Sequence, residues 1–203
     1  LKSRTQSQNN YLFDTARGPN KFLMSDHTAG EQVVSDRGVT AFNSGGFDLG
    51  SSVGGNRTAN NYASWTFRKA PKFFDVVTYT GDGSNTRRIS HSLDTNPGFI
   101  VVKKTSAAQD WVCAHRYDSF SNAFNLNTTG IQFGAGYIAT PSDTSFGVNA
   151  YGNANDLNTS GQTYVAYLFA HNDSGDGEFG PTGDQDIIKC GSFTDNGSST
   201  TVD

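Results

Sequence analysis

The stretch TYVAYLFA, from Thr163 to Ala170, decides the fold class of this chain. From Tyr164 to Phe169 its residues are apolar or aromatic without a break, so a strand here would present apolar side chains on both faces. A strand at a surface alternates apolar and polar residues, whereas a strand covered on both sides does not. The stretch FIVV, residues 99–102, has the same character. We therefore predict two central strands that other layers cover on both sides.

The composition around these strands is that of an all-β protein. Glycine contributes 23 of 203 residues, and the chain contains 15 Phe and 8 Tyr although its hydrophobic fraction is only 34%. Gly, Asn, Ser and Thr in such numbers favour short strands joined by turns. Antiparallel strands at this spacing fit a two-sheet β-sandwich, of jelly-roll or lectin-like type, better than a closed barrel. The predicted strands cover residues 74–80, 87–90, 99–104, 111–117, 122–127, 145–149 and 163–170.

The chain also resembles itself at a distance of roughly one hundred residues, which is the size of a domain and too long for a solenoid turn. NYASWTFR (61–68) returns as TYVAYLFA (163–170), and VVTYTGDGS (76–84) returns as CGSFTDNGS (190–198). Residues 62–67 are therefore expected to form an interior strand equivalent to residues 164–169. On this interpretation the chain is an excerpt of a longer protein with tandem domains. We predict the C-terminal part of a first repeat domain in 1–70, a complete domain in 71–172, a linker in 173–186 and the start of a third domain in 187–203.

Charge and cysteine usage exclude several classes of partner. The net charge is −4 with 17% charged residues, so the sequence carries no basic footprint for nucleic acid. No apolar run approaches the roughly 20 residues that span a bilayer, and we expect no membrane insertion. Cys113 and Cys190 stand where another copy carries a plain apolar residue. We expect both to be free, buried thiols.

The sequence contains few candidates for catalysis or metal binding. His27, His91, His115 and His171 lack a second ligand or a nucleophile at a suitable spacing, and no motif of a hydrolase or phosphate-binding loop occurs. A depolymerase would need two carboxylates facing each other across a groove, but the acids cluster in turns. We therefore expect no enzymatic activity.

An acidic cluster with glycines is the best candidate for a metal site. Asp173, Asp176 and Glu178 lie on a Gly-rich stretch and could hold Ca²⁺, which takes six to eight oxygen ligands. The spacing is not that of an EF-hand. The alternative is a solvated linker without a bound ion.

Aromatic residues in polar loops raise the alternative of a glycan-binding module. Tyr137 and Tyr151, with Phe120 and Phe133, lie in segments rich in Gly, Asn and Ser, where exposed rings could stack on sugars. The competing interpretation is that these rings pack against their own loops or a neighbouring subunit. Arg17 and Arg116 occupy matching places in two copies, and a shared buried or interface ion pair explains them better than a ligand clamp.

The motifs themselves resemble a known family. The segments 10–18, 41–50, 62–67, 74–83, 96–103 and 164–170 are similar to the repeated β-rich domain of tail-fibre-like virion proteins from phages of marine bacteria, cyanophages especially. The resemblance implies an extracellular, structural virion component that takes part in host attachment, and it carries no catalytic residues over. The expected partners are other virion proteins, a host surface glycan and further copies of the chain. A homo-oligomer is expected, with a trimer favoured.

Overall fold

The computed structural model describes residues 1–51, 55–130, 134, 136–150, 156–171, 187–194 and 197. Within these residues the chain is all-β, as predicted, and its only helix is the short 3-10 helix Arg116–Asp118. The strands are β1 (Lys2–Ser3), β2 (Tyr11–Leu12), β3 (Lys21–Met24), β4 (Gln32–Val33), β5 (Val39–Asn43), β6 (Gly46–Leu49), β7 (Tyr62–Ala63), β8 (Phe74–Thr80), β9 (Arg87–Ser90), β10 (Pro97–Lys104), β11 (Val112–His115), β12 (Ala123–Asn125), β13 (Ile138–Ala139), β14 (Ser145–Val148) and β15 (Thr163–Ala170).

A five-stranded antiparallel sheet in the order β12-β11-β10-β15-β8 forms the centre of the molecule. The strand β15 pairs with β10 on one side and with β8 on the other along nearly its whole length. Nearly all side chains of β10 and β15 are buried, on both faces of the sheet. The prediction of two central, doubly covered strands is confirmed.

Two cores lie on opposite faces of the central sheet. On the first face, a three-stranded sheet in the order β13-β14-β9 covers the central strands, which completes the predicted sandwich. On the second face lies the N-terminal layer, by which we mean the sheet β2-β3-β4 and its connections, residues 10–33. Leu23 of this layer is fully buried against residues of the central sheet, and Leu12 packs beside it. The second core contains Leu23, Phe74, Val76, Val101, Trp111, Cys113, Val165 and Tyr167.

The expectation for residues 62–67 is wrong. The strand β7 contains only Tyr62 and Ala63 and pairs with the two-residue strand β1, while Trp65 is 71% exposed and Phe67 49% exposed. The segment shares the aromatic pattern of β15, but β7 pairs with one strand only, whereas β15 has a paired strand on each side. The side chains of residues 62–67 are therefore not enclosed in a core as those of β15 are. Tyr62 and Tyr164 therefore lie in unlike environments. The tandem arrangement and its boundaries at residues 70, 172 and 186 stay predictions.

The chain leaves the strand conformation earlier than expected after β11. His115 accepts a hydrogen bond from the backbone N–H of Tyr117 through Nδ1, and Ser119 adopts a left-handed φ of 57°. The contact of His115 caps the start of the 3-10 helix and Ser119 caps its end, so the helix begins inside the segment that was predicted as a strand. Phe120, which follows, is buried in the first core and cannot stack on a sugar. Both cysteines are free, as expected; Cys113 is fully buried and Cys190 is partly buried.

Candidate functional site

An open cleft of about 750 Å³ lies between the N-terminal layer and the loop that follows β12. Asn10, Ser25 and Asp26 form one wall, and residues 126–129 form the other. Its volume falls within the range of small-ligand clefts, which is about 300–1,000 Å³, but the cleft is shallow and open to solvent. The walls come from segments about one hundred residues apart in sequence, so only the docking of the N-terminal layer on the central sheet creates this cleft.

Trp111 holds both walls of the cleft in place. Its indole N–H donates to the carbonyl oxygens of Met24 at 2.9 Å and His27 at 3.2 Å, on either side of Ser25 and Asp26. Its backbone N–H donates to Oδ1 of Asn127 at 2.8 Å, and its carbonyl oxygen accepts from the N–H of Leu126 at 3.0 Å. The ring is fully buried in the second core. Trp111 thus connects the two walls, one through its side chain and the other through its backbone.

The polar groups of each wall are also oriented by hydrogen bonds. The Oδ1 atom of Asp26 accepts from the backbone N–H of Asn10 at 2.9 Å, and the N–H of Ser25 donates to the carbonyl oxygen of Asn10 at 3.0 Å. On the opposite wall, Nδ2 of Asn127 donates to Oδ1 of Asp110 at 2.8 Å. These bonds fix the directions in which carboxylate and amide face the cleft before any ligand arrives.

A second exposed feature is an aromatic face at one end of the central sheet, formed by Phe67, Phe99, Phe124, Phe169 and Tyr117. Phe99 stacks on Phe124 with ring centroids 6.1 Å apart, and Phe169 lies 5.9 Å from Phe99 and 5.7 Å from Phe67. Tyr117 adjoins these rings through His115, whose ring centroid is 5.8 Å from that of Tyr117 and 5.9 Å from that of Phe99. The face is open to solvent at Phe67, which is 49% exposed, and at Tyr117, which is 59% exposed. Contiguous exposed apolar surface of this kind marks contact sites more often than scattered single residues do.

A buried ion pair of the N-terminal layer is connected to the central sheet by a hydrogen bond. Arg17, whose side chain is 2% exposed, pairs with Asp14 at 2.6 Å and with Glu31 at 3.4 Å. Tyr167 of β15 donates its hydroxyl to the same Asp14 carboxylate at 2.7 Å. Burial raises the pKa of Tyr167, so this hydroxyl remains a donor. The expectation of a buried ion pair is confirmed for Arg17.

Lys103 makes a similar connection near the other end of β10. Its side chain is fully buried, and its ammonium donates to the carbonyl oxygens of Thr28 at 2.9 Å and Gln109 at 2.8 Å. Burial lowers the pKa of Lys103 to about 8, with a further small effect of Lys104 and an opposing one of Asp110. The buried ammonium group of Lys103 therefore connects a loop of the N-terminal layer to the central sheet by a hydrogen bond to Thr28.

The sequence profile of a domain of unknown function, DUF7483, matches residues 1–201. The chain belongs to the DUF7483 family. The matched region of this DUF7483 chain extends across residue 70, where we predicted the boundary between the first and second repeat domains. No curated protein and no solved structure matches it.

Of the residues predicted for ligand and metal binding in the DUF7483 chain, the structure describes only Phe120 and Tyr137. Tyr137 is partly buried against the first core and is not among the residues that line the cleft. Tyr151 and Phe133 lie outside the described residues, as do Asp173, Asp176 and Glu178. The described part of the chain contains no group of three or more His, Cys, Asp or Glu residues that could hold a metal ion, and no helix in it is long and apolar enough to cross a membrane.

The histidines of the DUF7483 chain have structural contacts. His91 is buried, accepts the N–H of Leu93 at Nδ1, and lies with Nε2 3.2 Å from the carbonyl oxygen of Ser142. Burial lowers the pKa of His91, which favours this neutral form. His171 accepts the N–H of Cys190. Arg116 is exposed, in contrast to the buried Arg17, so a buried ion pair is ruled out for Arg116, while an interface pair there stays a prediction.

Sequence reasoning missed the cleft of the DUF7483 chain altogether. Its polar residues are of the types found in any turn, and the two walls are far apart in the chain. The only local signal is Trp111, because a buried Trp needs a hydrogen-bond partner for its indole N–H. That signal predicts a carbonyl nearby, but not which segment supplies it.

Proposed function

We propose that this chain is a structural segment of a virion fibre, a tail fibre or similar appendage, that is extracellular, takes part in host attachment and has no catalytic role. The observation that supports the proposal most is the fastening of the N-terminal layer to the central sheet by buried contacts. Trp111, Tyr167 and Lys103 each bond from the central sheet to a different part of that layer. Contacts of this kind stiffen a unit that must transmit force between a particle and a cell surface.

The aromatic face supports assembly into a homo-oligomer, for which a trimer is the favoured state. Phe67 and Tyr117 expose large apolar surface that packing against another copy would remove from water, at about 25 cal/mol per Å² buried. Symmetric association also multiplies weak contacts with a host surface. Other virion proteins are the further partners that we propose.

Electron microscopy of particles from the phage that encodes this chain tests the fibre proposal. Antibody raised against the chain should label appendages outside the capsid, and the chain should be found in purified particles by mass spectrometry. Particles that lack the chain would overturn the proposal.

Sedimentation analysis of the chain tests the assembly proposal. We expect a trimer that the double variant Phe67→Ser, Tyr117→Ser converts to a monomer. Val33→Ser, at a residue that is 70% exposed in the N-terminal layer, is the matched control and should leave the trimer intact. A wild-type chain that stays monomeric at every concentration would contradict the proposed role of the aromatic face.

A second candidate function is a glycan-binding module, and the observation that favours it is the cleft between the N-terminal layer and residues 126–129. A module of this kind would recognise a host surface glycan directly. Binding of the isolated chain to an array of immobilised glycans tests this candidate, and no binding to any of them would contradict it.

A further inference from the structure

We infer that the cleft bounded by Asn10, Ser25, Asp26 and residues 126–129 is a binding site for an uncharged saccharide. The inference rests on the glycan-binding candidate, and it names a site that sequence reasoning did not find. Tyr137 does not belong to it.

The chemistry of the lining residues selects this class of ligand. Ser25, Thr128 and Thr129 supply hydroxyl groups, Asn10 and Asn127 supply amides, and Asp26 supplies one carboxylate. Each of these groups accepts hydrogen bonds, and all but the carboxylate also donate them. A sugar ring offers adjacent hydroxyls that donate and accept in the same way. The lining is therefore matched to a ligand with many hydroxyls.

The charge of the cleft argues against the other polar ligands of similar size. Among the residues that the structure describes, the lining contains one carboxylate and no lysine, arginine or histidine, so a phosphate, a sulfate or a carboxylated ligand would meet repulsion without a compensating cation. A bound Ca²⁺ needs six to eight oxygen ligands and, in most sites, several carboxylates. Asp26 is the only acidic residue in the described part of the lining. Of the polar ligands of this size, an uncharged one therefore fits the lining best.

One apolar side chain completes the arrangement. Leu126 lines the cleft and is 47% exposed, although a leucine of a folded domain gains free energy by burial. A pyranose ring presents C–H groups on one face and hydroxyls around its edge. Such a ring can cover Leu126 with its C–H face while its edge reaches Asp26 and the amide of Asn127.

The geometry of the cleft is fixed before binding. Trp111 holds Met24 and His27 with its indole N–H, and holds Leu126 and Asn127 with its backbone, so it positions both walls. In Asp26, Oδ1 is used by the N–H of Asn10, whereas Oδ2 has no hydrogen-bond partner among the described residues. This oxygen is the acceptor that we assign to a sugar hydroxyl, and Trp111 is the positioning residue.

Titration of the full chain with uncharged saccharides, monitored by nuclear magnetic resonance of backbone amides, tests the inference. The probes are the methyl glycosides of glucose, galactose, mannose and N-acetylglucosamine at millimolar concentration, with glucuronic acid and glucose 6-sulfate as anionic comparisons. We expect at least one neutral glycoside to shift the amide signals of residues 25–26 and 126–129, and we expect the anionic sugars to bind more weakly.

Two variants separate a binding role from a structural one. Asp26→Ala should weaken binding about tenfold, because a hydrogen bond to a charged group is lost. Asp26→Asn keeps the acceptor for the N–H of Asn10 and should retain part of the affinity. Asp143→Ala, at an exposed acid that does not line the cleft, is the matched control and should bind as the wild type does.

The outcomes distinguish this site from the broader proposals. Binding that Asp26→Ala leaves unchanged, or tighter binding of the anionic sugars, would overturn the site while a glycan-binding function could stand through other residues. No binding of any neutral glycoside would overturn the site as well. Neither result bears on the fibre proposal, which is tested by the presence of the chain in particles.

Discussion

The hydroxyl of Tyr167 donates a 2.7 Å hydrogen bond to the carboxylate of Asp14, which links β15, an interior strand of the central sheet, to the N-terminal layer. Both side chains are buried. The carboxylate also accepts from Arg17, so it has partners from both parts of the chain. A buried acceptor shared in this way makes the docking of the N-terminal layer sensitive to the loss of a single donor.

Removing this hydroxyl tests the contribution of the link to stability. Tyr167→Phe keeps the ring that stacks on Phe74 and Trp111 and removes only the donor. We expect the free energy of unfolding to fall by about 1.5–3 kcal/mol, as for other hydrogen bonds to charged groups. Urea unfolding followed by tryptophan fluorescence measures the change. Tyr11→Phe, at a partly exposed tyrosine of the N-terminal layer, is the control and should change it by less than about 0.5 kcal/mol. Equal effects of the two variants would contradict the role of the link.

The ion pair of Arg17 with Asp14 should matter far more than the neighbouring pair at the surface. Asp14→Asn leaves a guanidinium that is 2% exposed with only Glu31 as its acidic partner. Breaking a buried pair from one side costs about 3–5 kcal/mol, whereas an exposed pair contributes about 0–1 kcal/mol. Lys21, 39% exposed, pairs with Glu31 from the surface, and Lys21→Met is the control. Chemical denaturation of both variants compares them, and similar losses would show that the pair of Arg17 is not buried in solution.

Much of the central sheet could be predicted from local patterns alone. The strands at residues 74–80, 87–90 and 163–170 have the predicted bounds, because turn residues and polar positions delimit them. Residues 62–67 show the limit of such patterns. The aromatic pattern there is like that of β15, but Trp65 is 71% exposed. The pattern of a segment does not reveal how many strands will pair with that segment in the folded chain.

The candidate site could not be predicted for a related reason. The bond from Trp111 to Met24 joins residues 87 positions apart, and the bond from Tyr167 to Asp14 joins residues 153 positions apart. Neither contact leaves a periodic trace in the sequence. Asn10, Asp26 and Asn127 are of residue types that are common in turns, so none of them indicates a binding site in the sequence. Only tertiary packing brings them together to line one cleft.

Gly81 should tolerate no side chain, unlike glycines of the hairpin between β5 and β6. A β-carbon at Gly81 would collide with the carbonyl oxygen of Thr159, because the two backbone segments hydrogen-bond directly at this point. We expect Gly81→Ala to lower the free energy of unfolding by about 1–3 kcal/mol or more, the usual cost of overpacking that moves the backbone. Gly45→Ala is the matched control, since nothing lies within 4 Å of a β-carbon there. Thermal unfolding of both variants decides, and an unchanged midpoint for Gly81→Ala would contradict the close approach.

The buried Lys103 should make the stability of the protein depend on pH in a defined direction. Its pKa in the folded chain is about 8, below the ordinary value of 10.5. Between these two values the unfolded chain binds the extra proton and the folded chain does not. Stability therefore rises with pH through this window.

Comparison with Lys103→Met isolates this effect, because methionine does not titrate. Burial raises the pKa of Cys113 to about 12 and also raises that of Tyr167, so both groups lower stability at alkaline pH. They do so equally in the two proteins and cancel in the difference. We expect the free energy of unfolding of the wild type, measured by urea denaturation, to gain about 2 kcal/mol relative to the variant between pH 7.5 and about 10. Parallel curves for the two proteins would mean that the ammonium of Lys103 is solvated, and that the loop at Thr28 is not fastened to the central sheet in solution.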